Sequence, residues 1–499
     1  MVRAAFLLAL TLLVPVRPCA AGPAEDIAFL DGASWGVSPS SFAALKAQGR
    51  ERWLAAQLHP PTEVRLPPAA AVQAAPLVPK DSLFERVVAL DAQGRAANAL
   101  TDPEARKAAQ QAYQGALNAA ARDAAALTIL RALYSPDQLR ERLAWFWFNR
   151  LNVHQGKANL RAMVGDYLDA AIRPHALGRF RDLLEASLRH PAMLRYLDNA
   201  ENAAGRINEN YAREIMELHT MGVGSGYGQA DVEALARILT GIGITLKAED
   251  PKVRPERQAD ILRDGLFLFD PNRHDYGDTL FLGHAIRGRG FDEVREALDI
   301  LCRHPATARN VTHALALYLL GTEPSPDLQT RLAETFARSD GDIAQVTGVL
   351  LRAPEFTDAA AARFKDPVRY VFSALRMAYD TRVVLNTQPV QGWLNRLGEG
   401  LFNRTTPDGY PLTAASWAGP GQLATRFEIA RQIGSGPAGL FKPAMPDAAE
   451  EPAFPLLQNG LYFSALAGTL SAATREALAR AVSPQDWNTL YLASPDFMR

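Results

Sequence analysis

Residues 208–228 read NENYAREIMELHTMGVGSGYG and gather the groups in this chain best suited to chemistry. On a helix of about 3.6 residues per turn, Glu209, Asn210, Arg213, Glu214 and Glu217 share one arc. Tyr211, Ala212, Ile215, Met216 and Leu218 share the other, and His219 falls among them. Glu209, Arg213 and Glu217 are spaced i, i+4, i+8, which makes an ion-pair ladder worth roughly 0.2–0.5 kcal/mol per pair. The ladder leaves out Glu214 and Asn210 and sets three carboxylates against one guanidinium. Surplus acids on one helix face build carboxylate metal sites or place a general acid beside a general base. In an enzyme built on this helix, Glu209, Glu214 and Glu217 supply acid–base or ligand groups. Arg213 stabilises developing negative charge, and His219 or His274 moves protons. The structural alternative is a solvated charged face, with His219 a buried neutral ring hydrogen-bonded at both nitrogens. Identity of a metal or cofactor stays open; no two histidines bracket a glutamate at zincin spacing.

Other groups could complete such a site. His274 and Asp275 are adjacent, as in metal-binding His-Asp pairs, although a turn aspartate also caps backbone amides. Asn149, Arg150 and Asn152 follow an aromatic run and reach the motif helix if the two helices pack together. Asn149, Asn210, His274 and Asp275 are therefore the candidate binding residues. Asp408-Gly409-Tyr410 and Trp417 lie in a late loop and read as loop anchors. The alternating Gly222, Gly224, Gly226 and Gly228 follow a helix where a dinucleotide fingerprint needs a strand before it, so they read as a tight connector.

Most of the elements that must position these groups read as helix. Ser38-Pro39 caps one that stops at Gly49, and Thr101-Asp102-Pro103 opens a long alanine-rich helix to Tyr134. Ser135-Pro136-Asp137-Gln138 has capping-box spacing. The helix after it ends in Trp145, Phe146, Trp147 and Phe148, read as core. Pro60 to Pro79 reads as an extended crossing segment. Further helices fit 160–171, 177–189, 209–220 and 231–239, and helices resume at Phe291. Between 244 and 286, Phe267–Phe269 and Thr279–Leu282 are apolar runs separated by DPNRHDYGD, the pattern of a hairpin with a long turn. The absence of strand–helix alternation argues against a parallel sheet.

The 499 residues suffice for about three cores of roughly 150 residues. A formal net charge of -1 without charge runs lacks the footprint of nucleic-acid binding. Arg3, the apolar stretch Ala4–Val16 and the small residues Cys19-Ala20-Ala21 form a leader cleaved near Gly22. Its apolar part is too short to span a bilayer. Once the leader is gone Cys302 stands alone, so no internal disulfide can form and the thiol reads as a small buried hydrophobe.

The sequence resembles the bacterial family known as domain of unknown function 1800 over nearly the whole mature chain. The strongest element is NENYAREIMELHTMGV at 208–223, followed by YGQADVEALARILTG at 227–241. FWFNRLNV at 146–153, MLRYLDN at 193–199, HDYGDTLFLG at 274–283, HPATAR at 304–309 and PDGYP at 407–411 are collinear with it. Arg150 stands where the family commonly has histidine, which weakens any metal site drawn through that position. FLDGASWG at 29–36 lacks the usual arginines, and Gly228 and Ile242 replace threonine and tryptophan.

The resemblance implies an exported, helical protein. It also implies a partner from a neighbouring family, domain of unknown function 1501, which is similar to sulfatases and phosphatases. The expected architecture is mainly α, a multi-helix array with a small β-hairpin insertion. Its segments are a signal peptide at 1–21, a helical region at 22–243 carrying the motif, the insertion at 244–290, and a helical region at 291–499 packed on the first. The expected role is a binding or accessory protein at the cell envelope, periplasmic or secreted, with a carboxylate/His hydrolase as the alternative.

Overall fold

Alanine and proline placement sets the longest element of the structure. Asp102 accepts from the Ala105 amide at 2.7 Å, Pro103 occupies the first turn, and the helix runs unbroken over Pro103–Tyr134. Its alanine-rich first half packs on Leu83–Ala99, which opens with a Ser82/Glu85 capping box. Its second half enters the core. The computed structural model describes residues 22–63, 65–359, 363–443 and 448–499; the expected leader lies outside them. The described residues are 63% helical and 4% strand, the mainly α class expected. One apolar core joins residues from Ile27 to Met498. No helix among the described residues is long and apolar enough to cross a membrane.

The aromatic helix Gln138–Arg150 lies at the centre of that core, with every residue before Arg150 buried. Trp145 stacks on Phe148 at 5.7 Å, Phe148 meets Tyr167 and Phe402, and Trp147 donates to the Ala176 carbonyl at 3.0 Å. The run is core, as its composition indicates. Cys302 is buried as well, and burial pushes its thiol up to about 12.

Three local readings are corrected. Ser135 and Gln138 do not form a capping box. Ser135 Oγ accepts from the Asp137 amide at 3.1 Å, and the Gln138 amide turns inward to the carbonyls of Ala132 and Ser135. The segment from Pro60 to Pro79 is not extended throughout. Pro68 starts a helical turn, and the alanines behind it carry Pro68–Ala74 as helix, with a 3-10 turn after it.

The two apolar runs of the insertion do not pair with each other. Phe267–Phe269 is the central strand β3 of an antiparallel sheet, between β1 (Ile242–Ile244) and β2 (Leu262–Asp264). Thr279–Phe281 (β4) instead pairs with His284–Ile286 (β5). The two-residue turns at 265–266 and 282–283 close each pair locally. That costs less chain entropy than joining strands across the nine-residue turn.

Helices expected over 160–171 and 209–220 are present but wound irregularly. The first breaks into 3-10 and α turns and ends as a π-helix, Tyr167–Ile172. The second is α over Asn210–Glu214 and π over Ile215–His219. His304 opens the Pro305–Leu320 helix as its sequence suggests, its Nδ1 accepting from the Ala306 amide at 3.2 Å.

Candidate functional site

The motif helix is entered through asparagines. Asn202 Oδ1 accepts from the Asn208 amide at 2.9 Å, and Asn208 Oδ1 accepts from the Asn210 amide at 3.0 Å. Asn210 Nδ2 donates to the Leu197 carbonyl at 3.1 Å. Asn210 is thus a strut that ties the helix to the 193–199 segment.

The polar arc then forms the expected ladder. Arg213 pairs with Glu209 at 3.1 Å and Glu217 at 3.5 Å. Gln229, from the next helix, accepts from Arg213 at 2.8 Å and donates to Glu209 at 2.8 Å. Arg213, Glu209 and Glu217 keep 39%, 35% and 28% of their side-chain surface in water, so each pair contributes at most about 1 kcal/mol.

Glu214 is bypassed by the ladder. It is half-buried, and burial, then Glu217 and Asp408, push its carboxyl above the usual range against the pull of Arg213. Asp408 comes from the late loop, where it pairs with Arg404 at 2.9 Å. Tyr196 lies in the same field. Burial, Glu214 and Asp408 raise its phenol to about 12, and its hydroxyl donates to the Thr405 carbonyl at 2.9 Å. A half-buried carboxyl whose pKa is raised beside another carboxylate has the electrostatics of a general acid.

The late loop reaches this position because Asn149 and Asn152 hold it. Asn149 Nδ2 donates to the Tyr410 carbonyl at 2.9 Å, and the Tyr410 amide donates to Asn149 Oδ1 at 2.6 Å. Asn152 donates to the carbonyls of Arg404 and Thr406 at 3.0 and 2.8 Å. Gly409, at φ +74°, passes so close that a Cβ would sit 2.1 Å from the Asn149 carbonyl oxygen. The Asn149 amide is therefore spent on the loop backbone.

His219 occupies the π turn, where the Thr220 amide and hydroxyl both donate to the Ile215 carbonyl. The ring is fully buried and neutral, and burial together with Arg150 lowers its pKa to about 3. Neither ring nitrogen has a hydrogen-bond partner among the described residues, contrary to the doubly bonded ring that the structural alternative anticipates. The Tyr211 hydroxyl and two nitrogens of Arg150 are likewise buried without partners there. The helix ends at His219 with Thr220 as its C-cap, so Gly222, at φ +92°, is not the cap its sequence suggests and lies two residues beyond it.

His274 and Asp275 are held by other groups. His274 Nδ1 lies 2.7 Å from the Thr240 carbonyl and so carries a proton. Its Nε2 lies 2.5 Å from Glu293 Oε1, and Glu293 also accepts from the Gly290 amide at 3.1 Å. Asp275 pairs with Arg237 through both oxygens, at 3.1 and 3.3 Å. These residues clasp the insertion to the helices on either side of it. Sequence reasoning missed Glu293, Thr240, Tyr196 and Arg237. Glu293 carried one local signal, its place three residues after Gly290 at a helix start.

Among the described residues, no group of three or more His, Cys, Asp or Glu is placed to hold a metal ion. The cavities of about 500, 240 and 230 Å³ are not lined by the motif helix.

With this geometry in place, a family model described as "Protein of unknown function (DUF1800)" matches residues 28–499. The chain belongs to the DUF1800 family. In this DUF1800 protein the motif 208–223 is a scaffolded helix whose one electrostatically unsettled acid faces the late loop. No protein of curated function and no solved structure matches the chain.

Proposed function

We propose that this DUF1800 protein is exported and serves as a binding or accessory protein beside a hydrolase-like partner at the cell envelope. The observation that carries this reading is the closed bonding of the motif's charged face: Arg213 is shared by Glu209, Glu217 and Gln229. Asn210, Asn149, His274 and Asp275 are likewise bonded to backbone or to neighbouring side chains. A face so engaged supports a shaped surface better than a set of groups poised for proton transfer. The leader at 1–21 supports export, and the resemblance supports a sulfatase- or phosphatase-like partner.

One observation favours a second reading. The raised carboxyl of Glu214 beside Asp408 and Tyr196 suits a hydrolase acid. Assay of purified full chain on phosphate, sulfate and glycoside esters, against Glu214→Gln, separates the two. The accessory reading expects equal, background turnover from both proteins. Turnover by the wild type that Glu214→Gln abolishes would establish the hydrolase.

A further inference from the structure

A second polar centre lies outside the motif, and its charges do not balance. Arg142, Arg363, Lys365, Arg369 and Arg426 are all at most 3% exposed. They are one group electrostatically: Arg363 senses Arg369 and Arg142, and Lys365 senses Arg369 and Arg426. Three carboxyls accompany them, Asp31, Asp366 and Glu399. Three carboxyls thus face five cations, and burial and the neighbouring Asp366 push Glu399 well above the carboxylate range. Asp31 takes Lys365 at 3.2 Å and Arg369 at 2.5 Å. Much of the remaining donor capacity goes to backbone carbonyls, such as Phe497 for Lys365 at 2.8 Å and Lys365 for Arg426 at 2.7 Å. Aromatic faces take more, as Arg426 lies 4.7 Å from both Phe364 and Tyr370.

Capacity is still left over. Nε of Arg142, Arg363, Arg369 and Arg426, and Nη1 of Arg426, are buried without a partner among the described residues. Buried guanidinium groups without counter-charge are costly, and nearby space that could admit an anion would relieve them. Such space exists. A cavity of about 230 Å³ between the Pro23–Ala33 helix and the chain's last residues is lined by Asp31, Arg363, Lys365, Ser373, Asp496 and Arg499. Asp496 is engaged by the Ser471 amide and hydroxyl, both at 2.8 Å. The centre is built for its cations: a Cβ on Gly32 would overlap the Arg363 guanidinium, and one on Gly321 would come within 2.9 Å of its side chain.

We propose that this cavity binds a small oxyanion, a phosphoryl or carboxylate group, held by Lys365 and Arg363 and neutralising the buried excess of positive charge. Its size suits a phosphate ion or a short acid; Arg363, whose Nη atoms donate to the Ala28 and Phe356 carbonyls while Nε has no partner among the described residues, and the Lys365 ammonium line it as charged donors. The site stands apart from the motif helix and does not depend on the accessory reading.

The test is calorimetric titration of the full chain with inorganic phosphate and, separately, with acetate, at ionic strength matched by chloride. Saturable binding of either, with a rise in melting temperature beyond that in chloride, is expected, and the stronger ligand tells phosphoryl from carboxylate chemistry. Lys365→Gln should weaken binding by at least roughly tenfold, the loss of one charged hydrogen bond. Arg499→Glu changes an exposed residue at the cavity and should weaken it a few-fold without disturbing the fold, so it decides the matter if Lys365→Gln does not fold. Equal response to phosphate, acetate and chloride, or binding unchanged in Arg499→Glu and in any folded Lys365→Gln, overturns the proposal.

Discussion

Asn149 and Tyr410 exchange two hydrogen bonds, of 2.9 and 2.6 Å, between a core helix and a loop 261 residues later in the chain. The pair copies one rung of an antiparallel ladder and fixes the loop that carries Asp408 to Glu214. Asn149→Ala leaves a buried backbone amide and carbonyl unpaired, so it should cost about 2–4 kcal/mol in chemical denaturation. Hydrogen exchange of 403–411 should speed up in the same variant. Gly409→Ala, which combines a positive φ with a 2.1 Å approach, should destabilise by more than about 2 kcal/mol.

What was legible in the sequence was local. The ladder of Glu209, Arg213 and Glu217 is fixed by helical spacing alone, and so are the Asp102-Pro103 start and the mainly α class. What was hidden depended on chain distance or on competition for one group. Asn149 looked free because its partner lies in the late loop. The Ser135–Gln138 spacing misled because inward carbonyls took the Gln138 amide. Helical spacing sets the His219 ring in the apolar arc, but its lack of partners among the described residues is a property of packing that spacing does not encode. The positively charged centre is hidden for the same reason, since Arg142 and Arg426 lie far along the chain from the 363–369 segment that supplies Arg363, Lys365 and Arg369.

His219 should make the protein acid-sensitive. Its pKa is about 3 in the folded state against about 6.5 when unfolded, so the unfolded chain binds the extra proton first. Stability is unaffected above pH 6.5 and falls as pH drops from 6.5 towards 3, by up to about 1.4 kcal/mol per unit. Urea melts across that range should show this slope, and His219→Leu should flatten it.

Glu214 responds in the opposite sense. Its folded pKa lies above the unfolded value, so the folded state keeps the proton longer and pays a small penalty once pH exceeds the folded pKa. Glu214→Gln should therefore stabilise slightly at pH 7, by less than about 1 kcal/mol for a half-exposed group. Carboxyl titration by NMR should show the Glu214 midpoint falling in Asp408→Asn, because one like charge has gone.

The His274–Glu293 contact and the Arg213 ladder should differ in weight. Glu293→Ala leaves the buried His274 Nε2 without its partner and should cost about 1–3 kcal/mol. Arg213→Ala, in a solvated ladder, should cost at most about 1 kcal/mol. Thermal or urea unfolding of the two variants side by side checks both.

The binding or accessory role proposed for the motif helix rests on its bonded charged face. The most direct test is turnover on phosphate, sulfate and glycoside esters by the purified full chain and by Glu214→Gln. The account predicts the same background rate from both. Multiple turnover by the wild type, lost on Glu214→Gln while the fold persists, would contradict it.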